Sequence, residues 1–425
     1  MTFSAAAPTA LGALSREKSS PGAQLKAGEP LDPVTFADLR RQALLDGCKW
    51  DPQVGDHETL APFPLIMLKS AWRRLAAQAE ALSREALTAE AEIAQRPDLL
   101  NRLGLPRALR KVLGGSEDLT PTAARVIRFD FHPTTQGWQI TEANSDVPGG
   151  YSEACHFTAL MAEQYPGWRP SGDPAAELVS ALAAVAGSAS PVALLSAPGY
   201  LEDHQVVAYL SQRLRELGCP SRRAKPEQLR WRAGQARLEL AGWEGPVGAI
   251  VRFYQAEWLA RLPVQTGWPA FFRGGQTPVT NPALAVISES KRFPLVWDAL
   301  ETKLPTWRSL LPESRDPRAV NWAREAGWLL KTAYCNTGDT VSTREWLPGG
   351  AWARTRLAAT FFPGRWVAQR RFESVPVATP MGARHVCLGI YTVNGRAAGA
   401  YARMAVRPLI DFAATDVALL LEDDE

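Results

Sequence analysis

Apolar positions recur at helical spacing in two stretches near the start of the chain. The first reads VTFADLRRQALL from Val34, and the second runs from Leu65 to Gln95 as LIMLKSAWRRLAAQAEALSREALTAEAEIAQ. Apolar residues repeating every three to four positions form one stripe of a helix. The first stretch therefore predicts a helix, and the second predicts one extended or broken helix. Residues 1 to about 33 are rich in Ala, Pro, Ser and Gly and predict a flexible leader.

Two short apolar runs follow that are typical of a β-hairpin. RVIRFDF ends at Phe131, GWQITEA starts at Gly137, and HPTTQ between them predicts a turn of several residues. After the sequence DVPGG, a helix is expected from about Tyr151.

From residue 171 to about 260, predicted strands alternate with predicted helices. PVALLSA and VGAIVRFY are short apolar runs of the kind that form buried strands, and EDHQVVAYLSQRLRELG between them has helical spacing. This alternation favours a doubly wound, largely parallel sheet with an α/β architecture.

The last third of the chain predicts a mainly antiparallel sheet over residues 327–410. KRFPLVWDALETKL predicts a helix that starts with Lys291, and GWLLKTAY and RWVAQRRFES predict strands. RHVCLGIYTVNG and RAAGAYARMAV predict two further strands that meet at Asn394 and Gly395, a dipeptide that strongly favours a tight hairpin turn.

Composition excludes several classes of protein. The 425 residues are 46% hydrophobic and 21% charged, enough apolar material for a core of two or three subdomains. The chain has no apolar run long enough to span a membrane and no secretory signal pattern, and its five widely spaced cysteines favour neither a disulfide framework nor a zinc site. A cytoplasmic protein is expected. The formal net charge is +3 without a dense basic block, which argues against nucleic-acid binding and fits an anionic small substrate.

The hairpin carries candidate chemistry on one face. A simple register that pairs Asp130 with Glu142 also pairs Arg128 with Asn144, and cross-strand partners share a face with residues two positions away. Carboxylate and amide oxygens suit Mg²⁺, which also takes substrate phosphates, and an arginine beside them can grip a phosphoryl or carboxylate oxygen. The alternative interpretation is an ordinary salt bridge between Arg128 and Asp130, with Glu142 as a solvated strand residue.

This segment resembles the ATP-grasp synthetase domain of glutathionylspermidine synthases and their relatives, whose ATP-grasp fold is circularly permuted. Proteins of that family carry Arg-x-Asp, then Glu-x-Asn, then an acidic residue and a small residue or Pro. The matching residues here are Arg128, Asp130, Glu142, Asn144, Asp146 and Pro148. The resemblance implies that Asp130, Glu142 and Asn144 hold Mg²⁺ with ATP, and that Arg128 stabilises the reacting acyl-phosphate centre.

Other segments resemble the family's ATP pocket in the same order along the chain. Lys291 in SESKRFPLVW and Lys331 in WLLKTAYCNTGDTV match phosphate-binding lysines, and Gly338 matches the loop that closes over phosphates. Gln369 in WVAQRRF matches the strand that flanks the adenine, and Arg403 in GAYARM matches an arginine directed at the γ-phosphate. VRFYQAEWL resembles a family segment that is expected to pack against another subdomain.

Two segments depart from the family pattern. The family's loop is close to Gly-x-Glu-Gly, whereas this chain has Cys335, Asn336, Thr337 and Gly338, which removes a flexible glycine and a charge. The segment PGGYSEA, which contains residues 149–152, stands where the family has a helix start with Thr and Ser. Its residues could present N–H groups to an anion or could form only a tight turn and a cap.

The resemblance covers about residues 120–410 and implies the following organisation. The fold is α/β (α+β), a circularly permuted ATP-grasp with a doubly wound parallel-sheet subdomain and a mainly antiparallel ATP-binding subdomain. The expected regions are a flexible leader (1–33), a helical N-terminal region (34–120), the metal and phosphate hairpin (121–170), an α/β pre-ATP-grasp-like subdomain (171–290), and the ATP-binding lid with the remaining core (291–425). No amidase domain is matched.

The implied activity is that of an ATP- and Mg²⁺-dependent carboxylate–amine ligase that forms an amide through an acyl phosphate. Its partners would be a small-molecule carboxylate and an amine, without nucleic acid or membrane. The alternatives are a non-catalytic nucleotide-binding scaffold, which the altered loop favours, and an ATP-dependent kinase. The identity of the substrates and the oligomeric state stay open.

Overall fold

The computed structural model describes residues 21–424, except 52, 55–56, 116–117, 188–189 and 335–340. The predicted phosphate loop from Cys335 to Gly338 and most of the predicted leader therefore lie outside the described residues. No helix in the described part of the chain is long and apolar enough to cross a lipid bilayer.

The secondary structure is mixed, with helices and strands distributed along the whole described chain. In chain order, the α-helices are α1 Pro33–Leu45, α2 Lys69–Ala94, α3 Pro97–Leu100, α4 Arg107–Leu113, α5 Thr158–Gln164, α6 Pro174–Ala186, α7 Leu201–Glu216, α8 Ala256–Leu259, α9 Ala285–Glu289, α10 Pro305–Leu310 and α11 Gly349–Phe361. A π-helical turn, Ser152–Phe157, leads into α5. Short 3₁₀ segments are Pro21–Gln24, Pro226–Gln228, Val264–Thr266, Trp268–Phe271, Phe293–Ala299 and Pro363–Arg365.

The strands form several separate sheets. In chain order they are β1 Leu25–Ala27, β2 Gln53–Val54, β3 His57–Glu58, β4 Leu65–Leu68, β5 Val126–Thr134, β6 Gly137–Asn144, β7 Arg169–Pro170, β8 Val192–Ser196, β9 Ser221–Ala224, β10 Leu229–Arg232, β11 Gln235–Leu240, β12 Trp243–Pro246, β13 Ala249–Phe253, β14 Val279–Thr280, β15 Ser314–Arg315, β16 Trp328–Thr332, β17 Trp366–Arg370, β18 Val377–Thr379, β19 Gly382–Val393, β20 Arg396–Ala405, β21 Thr415–Val417 and β22 Leu419–Glu422.

The central sheet is antiparallel and unites two hairpins that are far apart in sequence. Its order is β21-β20-β19-β5-β6, and β18 pairs with β19. One face packs on the long helix α2, so that Phe129 and Phe131 share a core with Leu75 and Leu82. Alternation along each strand sends every second side chain to the opposite face. That opposite face of β5 and β6 carries the candidate site.

The parallel sheet predicted for residues 171–260 is confirmed. Strands β14, β13, β8 and β9 lie in that order, and each neighbouring pair is parallel. Every residue of β8 and β13 is buried, as expected for strands covered on both faces. Helices α6 and α7 pack on one face, while the other face joins the main core through Leu195 and Ile250.

The predicted hairpin at Asn394 and Gly395 is confirmed, but its position in the fold differs from the prediction. Both residues have positive φ, 49° and 81°, as a type I′ turn requires. β19 and β20 pair with β5, whereas β16 and β17 form a separate three-stranded sheet with β15. The prediction of one antiparallel sheet over residues 327–410 is therefore wrong. Periodicity identifies strands, but it does not specify which distant strands pair.

Two predictions for the N-terminal region need correction. The segment Leu65–Leu68 is a strand, not the start of the long helix, which begins at Lys69. The last residues of the predicted leader are ordered, because Leu25–Ala27 pair with β4 in an antiparallel register. Both segments join a sheet that also contains the C-terminal strand β22, parallel to β4. Pairing with distant strands satisfies their backbone groups in a way that local sequence does not indicate.

Two further elements differ from the predicted ones. Strand β5 continues through His132 and Pro133 to Thr134, so the hairpin turn is shorter than the predicted HPTTQ. The segment after Lys291 forms the 3₁₀ run Phe293–Ala299, and a separate helix starts at Pro305. Proline at the start of a helical segment is compatible with its geometry, whereas a proline inside a helix removes a hydrogen bond. The α-helix predicted over residues 291–304 is therefore wrong, because this segment holds only the 3₁₀ run and the α-helix begins after it.

Candidate functional site

A β-bulge in the hairpin arranges the predicted cluster. Arg128 pairs with Asn144, as the simple register predicts, but beyond the next pair the register shifts by one residue. Asp130 then faces both Thr141 and Glu142 instead of Glu142 alone. The exact pairing of Asp130 with Glu142 is therefore wrong, although both still lie on the predicted face. A bulge of this kind places two residues of one strand opposite one residue of the other.

Asp130 is the centre of the polar cluster. Its Oδ1 accepts a hydrogen bond from Arg128 Nε at 2.9 Å, and its Oδ2 accepts from Arg128 Nη2 at 3.3 Å, Asn144 Nδ2 at 3.2 Å and Arg403 Nη2 at 2.7 Å. Burial opposes ionisation of this carboxyl, but the two guanidinium groups outweigh burial and hold its pKa well below the ordinary value. Asp130 is therefore a permanent anion at neutral pH.

A glycine on β19 makes room for Arg128 and for the ring of Tyr401. Gly389 lies opposite Asp130 on one side and opposite Tyr401 on the other. A Cβ atom at this glycine would lie 2.9 Å from Arg128 Cδ and 3.1 Å from Tyr401 Cε1, so a larger residue would displace them. The guanidinium carbons of Arg128 and Arg403 lie 5.9 and 6.0 Å from the Tyr401 ring centroid. The central sheet thus brings Arg403 to the hairpin from a distant part of the sequence.

Two lysines lie near Glu142. Lys291 Nζ lies 3.5 Å from Glu142 Oε2 and 3.3 Å from Glu289 Oε1, and Lys331 Nζ donates to the Thr141 carbonyl oxygen at 3.1 Å. Burial raises the pKa of Glu142, but Lys291 and Lys331 outweigh it, and the net pKa lies below the ordinary value. The carboxylate of Glu142 is therefore also ionised at neutral pH.

A backbone hydrogen bond joins the two segments that carry these lysines. Lys331 lies in the middle of β16, and the Lys291 backbone N–H donates to the Ala333 carbonyl oxygen at 2.9 Å, just beyond the end of that strand. Both side chains are almost completely buried. Although 40 positions separate them in the sequence, the fold places them in two adjoining cavities that are both lined by Glu142.

Two adjoining cavities contain most of the predicted residues. A larger cavity of about 760 Å³, continuous with solvent, is lined by Asp130, His132, Thr141, Glu142, Leu329, Lys331, Val341, Trp346, Gln369, Arg370, Arg371, Phe372, Cys387, Arg403, Pro408, Leu409 and Ile410. A smaller one of about 290 Å³ contains Lys291 and shares Glu142 and Gln369 with the first. Gln369 also donates to Ser314 Oγ at 3.1 Å. Arg128 and Asn144 contact Asp130 at the edge of this space, and Gly338 lies outside the described residues.

Sequence reasoning missed three polar groups at the site. His132 is two residues after Asp130 on the same strand, so alternation alone could have placed it on the same face. Thr141 reaches that face only because of the bulge, which the sequence does not announce. Glu289 follows from tertiary packing, since its Oε2 accepts from the backbone N–H groups of Ser145 and Asp146 at 2.6 and 3.0 Å.

The turn after the hairpin supports the arginine rather than an anion. The Gly149 carbonyl oxygen accepts hydrogen bonds from Arg128 Nη1 at 3.0 Å and from the Tyr391 hydroxyl. Gly150 has a φ of 89°, and a Cβ there would lie 2.7 Å from the hydroxyls of Tyr391 and Tyr401. Of the two interpretations of this segment, these contacts favour the tight turn.

Asp146 links the site to the parallel-sheet subdomain. It forms an ion pair with Arg252 of β13, and its Oδ2 accepts from the Ala256 backbone N–H at 2.8 Å. The Arg252 side chain is 0% exposed and that of Asp146 is 2% exposed. Arg252 and Ala256 both belong to the segment VRFYQAEWL, and its expected packing against another subdomain stays a prediction.

A second buried charge cluster lies beside the arginines. Lys49 Nζ contacts Glu153 Oε1 at 2.6 Å, Asp51 Oδ1 at 3.1 Å and Asp416 Oδ2 at 3.1 Å. Burial and the nearby Glu153 carboxylate both raise the pKa of Asp416, and the Lys49 ammonium lowers it. The first two effects are larger, and the pKa of Asp416 is about 7. Since Asp416 pairs with Arg403 across β20 and β21, this cluster ties the N-terminal region to the site.

Glu257→Gln is expected to leave stability unchanged near pH 4 and to increase it by about 2 kcal/mol near pH 8. Burial, with nearby Asp146 and Glu289, raises the pKa of Glu257 from 4.5 to about 7 in the folded protein. The folded state thus binds this proton more tightly than the unfolded chain, and its stability falls as pH rises through that window. Glutamine cannot ionise, so the Glu257→Gln variant does not lose this stability as the pH rises. Urea unfolding of both proteins at each pH measures the difference, and equal stability at pH 8 would contradict the expectation.

The donor set fits a magnesium ion that shares its coordination with phosphate. Two carboxylates and an amide oxygen from Asp130, Glu142 and Asn144 are hard ligands of the type that Mg²⁺ prefers. Among the residues that the structure describes, Asp130 Oδ2 accepts three hydrogen bonds and Oδ1 accepts one, from Arg128, so Oδ1 is the oxygen with more capacity to bind a cation. Among the described residues, no group of three or more His, Cys, Asp or Glu side chains could hold a metal alone. Substrate oxygens would therefore have to complete the coordination.

Comparison with known proteins identifies the family. The sequence profile of the glutathionylspermidine synthase preATP-grasp family matches residues 65–419. No curated protein matches the chain. A glutathione synthetase-like effector from Globodera pallida, solved in its apo form, shares 14% sequence identity with a TM-score of 0.62, over 92% of this chain and 98% of the effector chain. A putative gamma-glutamylcysteine synthetase from Methylobacillus flagellatus KT shares 13% identity with a TM-score of 0.41, over 76% of this chain and 88% of that protein.

The effector structure shows a common fold, since the alignment spans nearly all of both chains. The predicted mixed α/β fold of ATP-grasp type is confirmed by this likeness together with the family match. Because the profile covers most of its length, the chain belongs to the glutathionylspermidine synthase preATP-grasp family.

Proposed function

We propose that the protein is an ATP- and Mg²⁺-dependent ligase that joins a small-molecule carboxylate to an amine through an acyl phosphate. One observation carries the proposal. Asp130, Glu142, Lys331 and Arg403 line the larger cavity and Lys291 lines the smaller one, while Arg128 and Asn144 contact Asp130 beside this space, in a chain of this family. The four cations among these residues are Arg128, Lys291, Lys331 and Arg403.

The charge balance of the site suits a polyanionic substrate. An anionic carboxylate must approach an anionic triphosphate, and their repulsion is the main obstacle to the reaction. Four cationic side chains face three carboxylates, those of Asp130, Glu142 and Glu289. Because these groups are buried and already oriented, they can stabilise the charge that develops in the transition state at little reorganisation cost.

Magnesium would be held by Asp130, Glu142 and Asn144, where it would neutralise phosphate oxygens as a Lewis acid. Lys291, beside Glu142 in the smaller cavity, and Lys331, beside Thr141 in the larger one, would contact the phosphates. Gln369, on β17 beside Leu329 and Phe372, lies where the apolar part of the larger cavity could receive the nucleotide base.

The proposed reaction has two bond changes. First, a carboxylate oxygen attacks the γ-phosphorus of ATP, and ADP leaves with the electron pair of the broken P–O bond. The amine nitrogen then attacks the acyl carbon, inorganic phosphate leaves, and the nitrogen loses a proton. Arg128 is held in place by Asp130 and the Gly149 carbonyl, so its guanidinium can bind the acyl-phosphate oxygens without losing further side-chain freedom.

The test is ADP release from the purified protein. It would be incubated with ATP, Mg²⁺ and pooled amino acids, polyamines and thiol peptides, with ADP, phosphate and amide products measured together. We expect ADP release that requires both a carboxylate and an amine, with one amide formed for each ADP. Saturable ATP binding without ADP release in any pool would contradict the proposal.

A non-catalytic nucleotide-binding scaffold is the second candidate, and one observation favours it. Asp130 Oδ2 accepts three hydrogen bonds, including one from Arg403, so the predicted metal ligand is already neutralised by protein groups. A scaffold of this kind would bind ATP without turnover. A kinase would instead release ADP with a phosphorylated product whose formation does not depend on an amine.

A further inference from the structure

The apolar and polar positions of β6 conflict with a regular strand. Ile140, Glu142 and Asn144 are spaced two apart, so an unbroken pleat would place all three side chains on the same face. In the structure, Ile140 is buried in the core opposite Phe131, whereas Glu142 faces the cavity. The bulge resolves this conflict, because Thr141 and Glu142 together oppose Asp130. The position of Glu142 therefore depends on the bulge.

Thr141, the extra residue of the bulge, is bonded on both sides. Its Oγ1 lies 3.2 Å from His132 Nε2, and its carbonyl oxygen accepts from Lys331 Nζ at 3.1 Å. His132 is itself buried, and its ring packs against Phe372 with a centroid distance of 5.3 Å. The side chain of Thr141 thus links β6 to β5 within the hairpin, and its carbonyl group links β6 to β16, the strand that carries Lys331.

We propose that Thr141 and His132 are positioning residues that hold the bulge, and so direct Glu142 toward Asp130 and fix Lys331. Neither residue is required to touch a substrate in this role. Without the hydrogen bond, the bulge can slide by one residue, because register is set by side-chain pattern and local bonding. The effect of this positioning role on catalysis rests on the proposed function, whereas its effect on the position of the bulge does not.

The matched variants are Thr141→Val, which keeps the shape and removes the hydroxyl, and Thr141→Ser, which keeps the hydroxyl. His132→Phe removes the ring nitrogens, whereas His132→Gln can place an amide nitrogen near the position of Nε2. Thr392→Val serves as a control, since this buried threonine is on β19 of the same sheet and its hydroxyl contacts the Ile127 carbonyl oxygen at 3.4 Å.

Hydrogen–deuterium exchange of the protein without ligands tests the structural part. Peptides covering Gly137–Asn144 are expected to exchange about tenfold faster in Thr141→Val and His132→Phe, the effect of losing about one buried hydrogen bond. The serine and glutamine variants are expected to exchange like the unmodified protein, as is Thr392→Val in this strand. Unchanged exchange in both Thr141→Val and His132→Phe would overturn the inference, whether or not the protein is a ligase.

Ligand binding and turnover test the functional part. Calorimetry with a non-hydrolysable ATP analogue is expected to show that Thr141→Val needs about three to ten times more Mg²⁺ for half-maximal binding, because Glu142 is misdirected. We expect kcat for ADP release to fall about tenfold and Thr141→Ser to restore both values. If the unmodified protein releases no ADP, the proposed function fails, and the exchange experiment still decides the positioning role. Normal Mg²⁺ dependence and kcat in Thr141→Val would reject that role.

Discussion

Glu142→Ala is expected to lower ADP release by at least about 10²–10³-fold, the usual effect of removing one preorganised electrostatic group from an active site. The side chain faces both cavities, carries a full charge at neutral pH and is the predicted metal ligand that lies nearest to Lys291. Its removal leaves Asp130, already occupied by two arginines, as the remaining carboxylate of the predicted metal set. Steady-state measurement of ADP at saturating ATP and Mg²⁺ provides the test.

The matched control is Glu244→Ala, in the antiparallel meander β10–β12. Glu244 is 52% exposed and pairs with the surface arginine Arg237 at 3.4 Å, so its loss should leave ADP release unchanged. Calorimetry adds a readout that does not require turnover, since binding of an ATP analogue to Glu142→Ala should lose most of its dependence on Mg²⁺. Near-normal ADP release by Glu142→Ala would reject the metal assignment and with it the proposed mechanism.

Asp146→Ala is expected to destabilise the folded protein by about 3–5 kcal/mol. The substitution leaves the Arg252 guanidinium, which is 0% exposed, without its carboxylate, and it also removes the acceptor for the Ala256 N–H. Removing one partner of a buried ion pair leaves an uncompensated charge in a poorly solvated place, and this costs much more than the net contribution of the intact pair. Urea unfolding at neutral pH measures the change.

An exposed pair supplies the comparison. Asp298→Ala removes the partner of Arg308 at 2.8 Å, but both side chains are largely solvated, and a change of less than about 1 kcal/mol is expected. The double variant Asp146→Ala/Arg252→Met should be more stable than Asp146→Ala alone, because methionine has no charge to desolvate. If Asp146→Ala unfolds at the same urea concentration as Asp298→Ala, the buried pair does not stabilise the contact between Asp146 and β13 as described.

Local patterns in the sequence were sufficient for several elements. Alternation predicted the face shared by Arg128 and Asp130, and Asn394 with Gly395 predicted the second hairpin, since both signals depend on residues close in sequence. The strand Leu65–Leu68 was missed because four consecutive apolar residues carry no period that separates a strand from a buried helix.

The candidate site was predicted only in part, for a related reason. The sequence indicated the lysines and arginines one at a time, by resemblance to family motifs, and it contained no sign that their charged groups meet. Contact between Arg403 and Asp130 requires β19 to pair with β5 across more than 250 positions of the chain. Long-range pairing depends on the packing of the whole core, so a local window does not contain it.

The amino-acid sequence by itself determined the elements whose pattern is local: the two central strands of the parallel sheet, the two hairpins, and the family to which the chain belongs. Tertiary structure decided how those elements combine. It placed β19 and β20 beside the first hairpin, put Lys291 and Lys331 in two adjoining cavities, and inserted the bulge at Thr141 that turns Glu142 toward the cavity while Ile140 enters the core. The physical reason is that side-chain alternation is a property of a few neighbouring residues, whereas register and the meeting of charges depend on which distant surfaces become buried together.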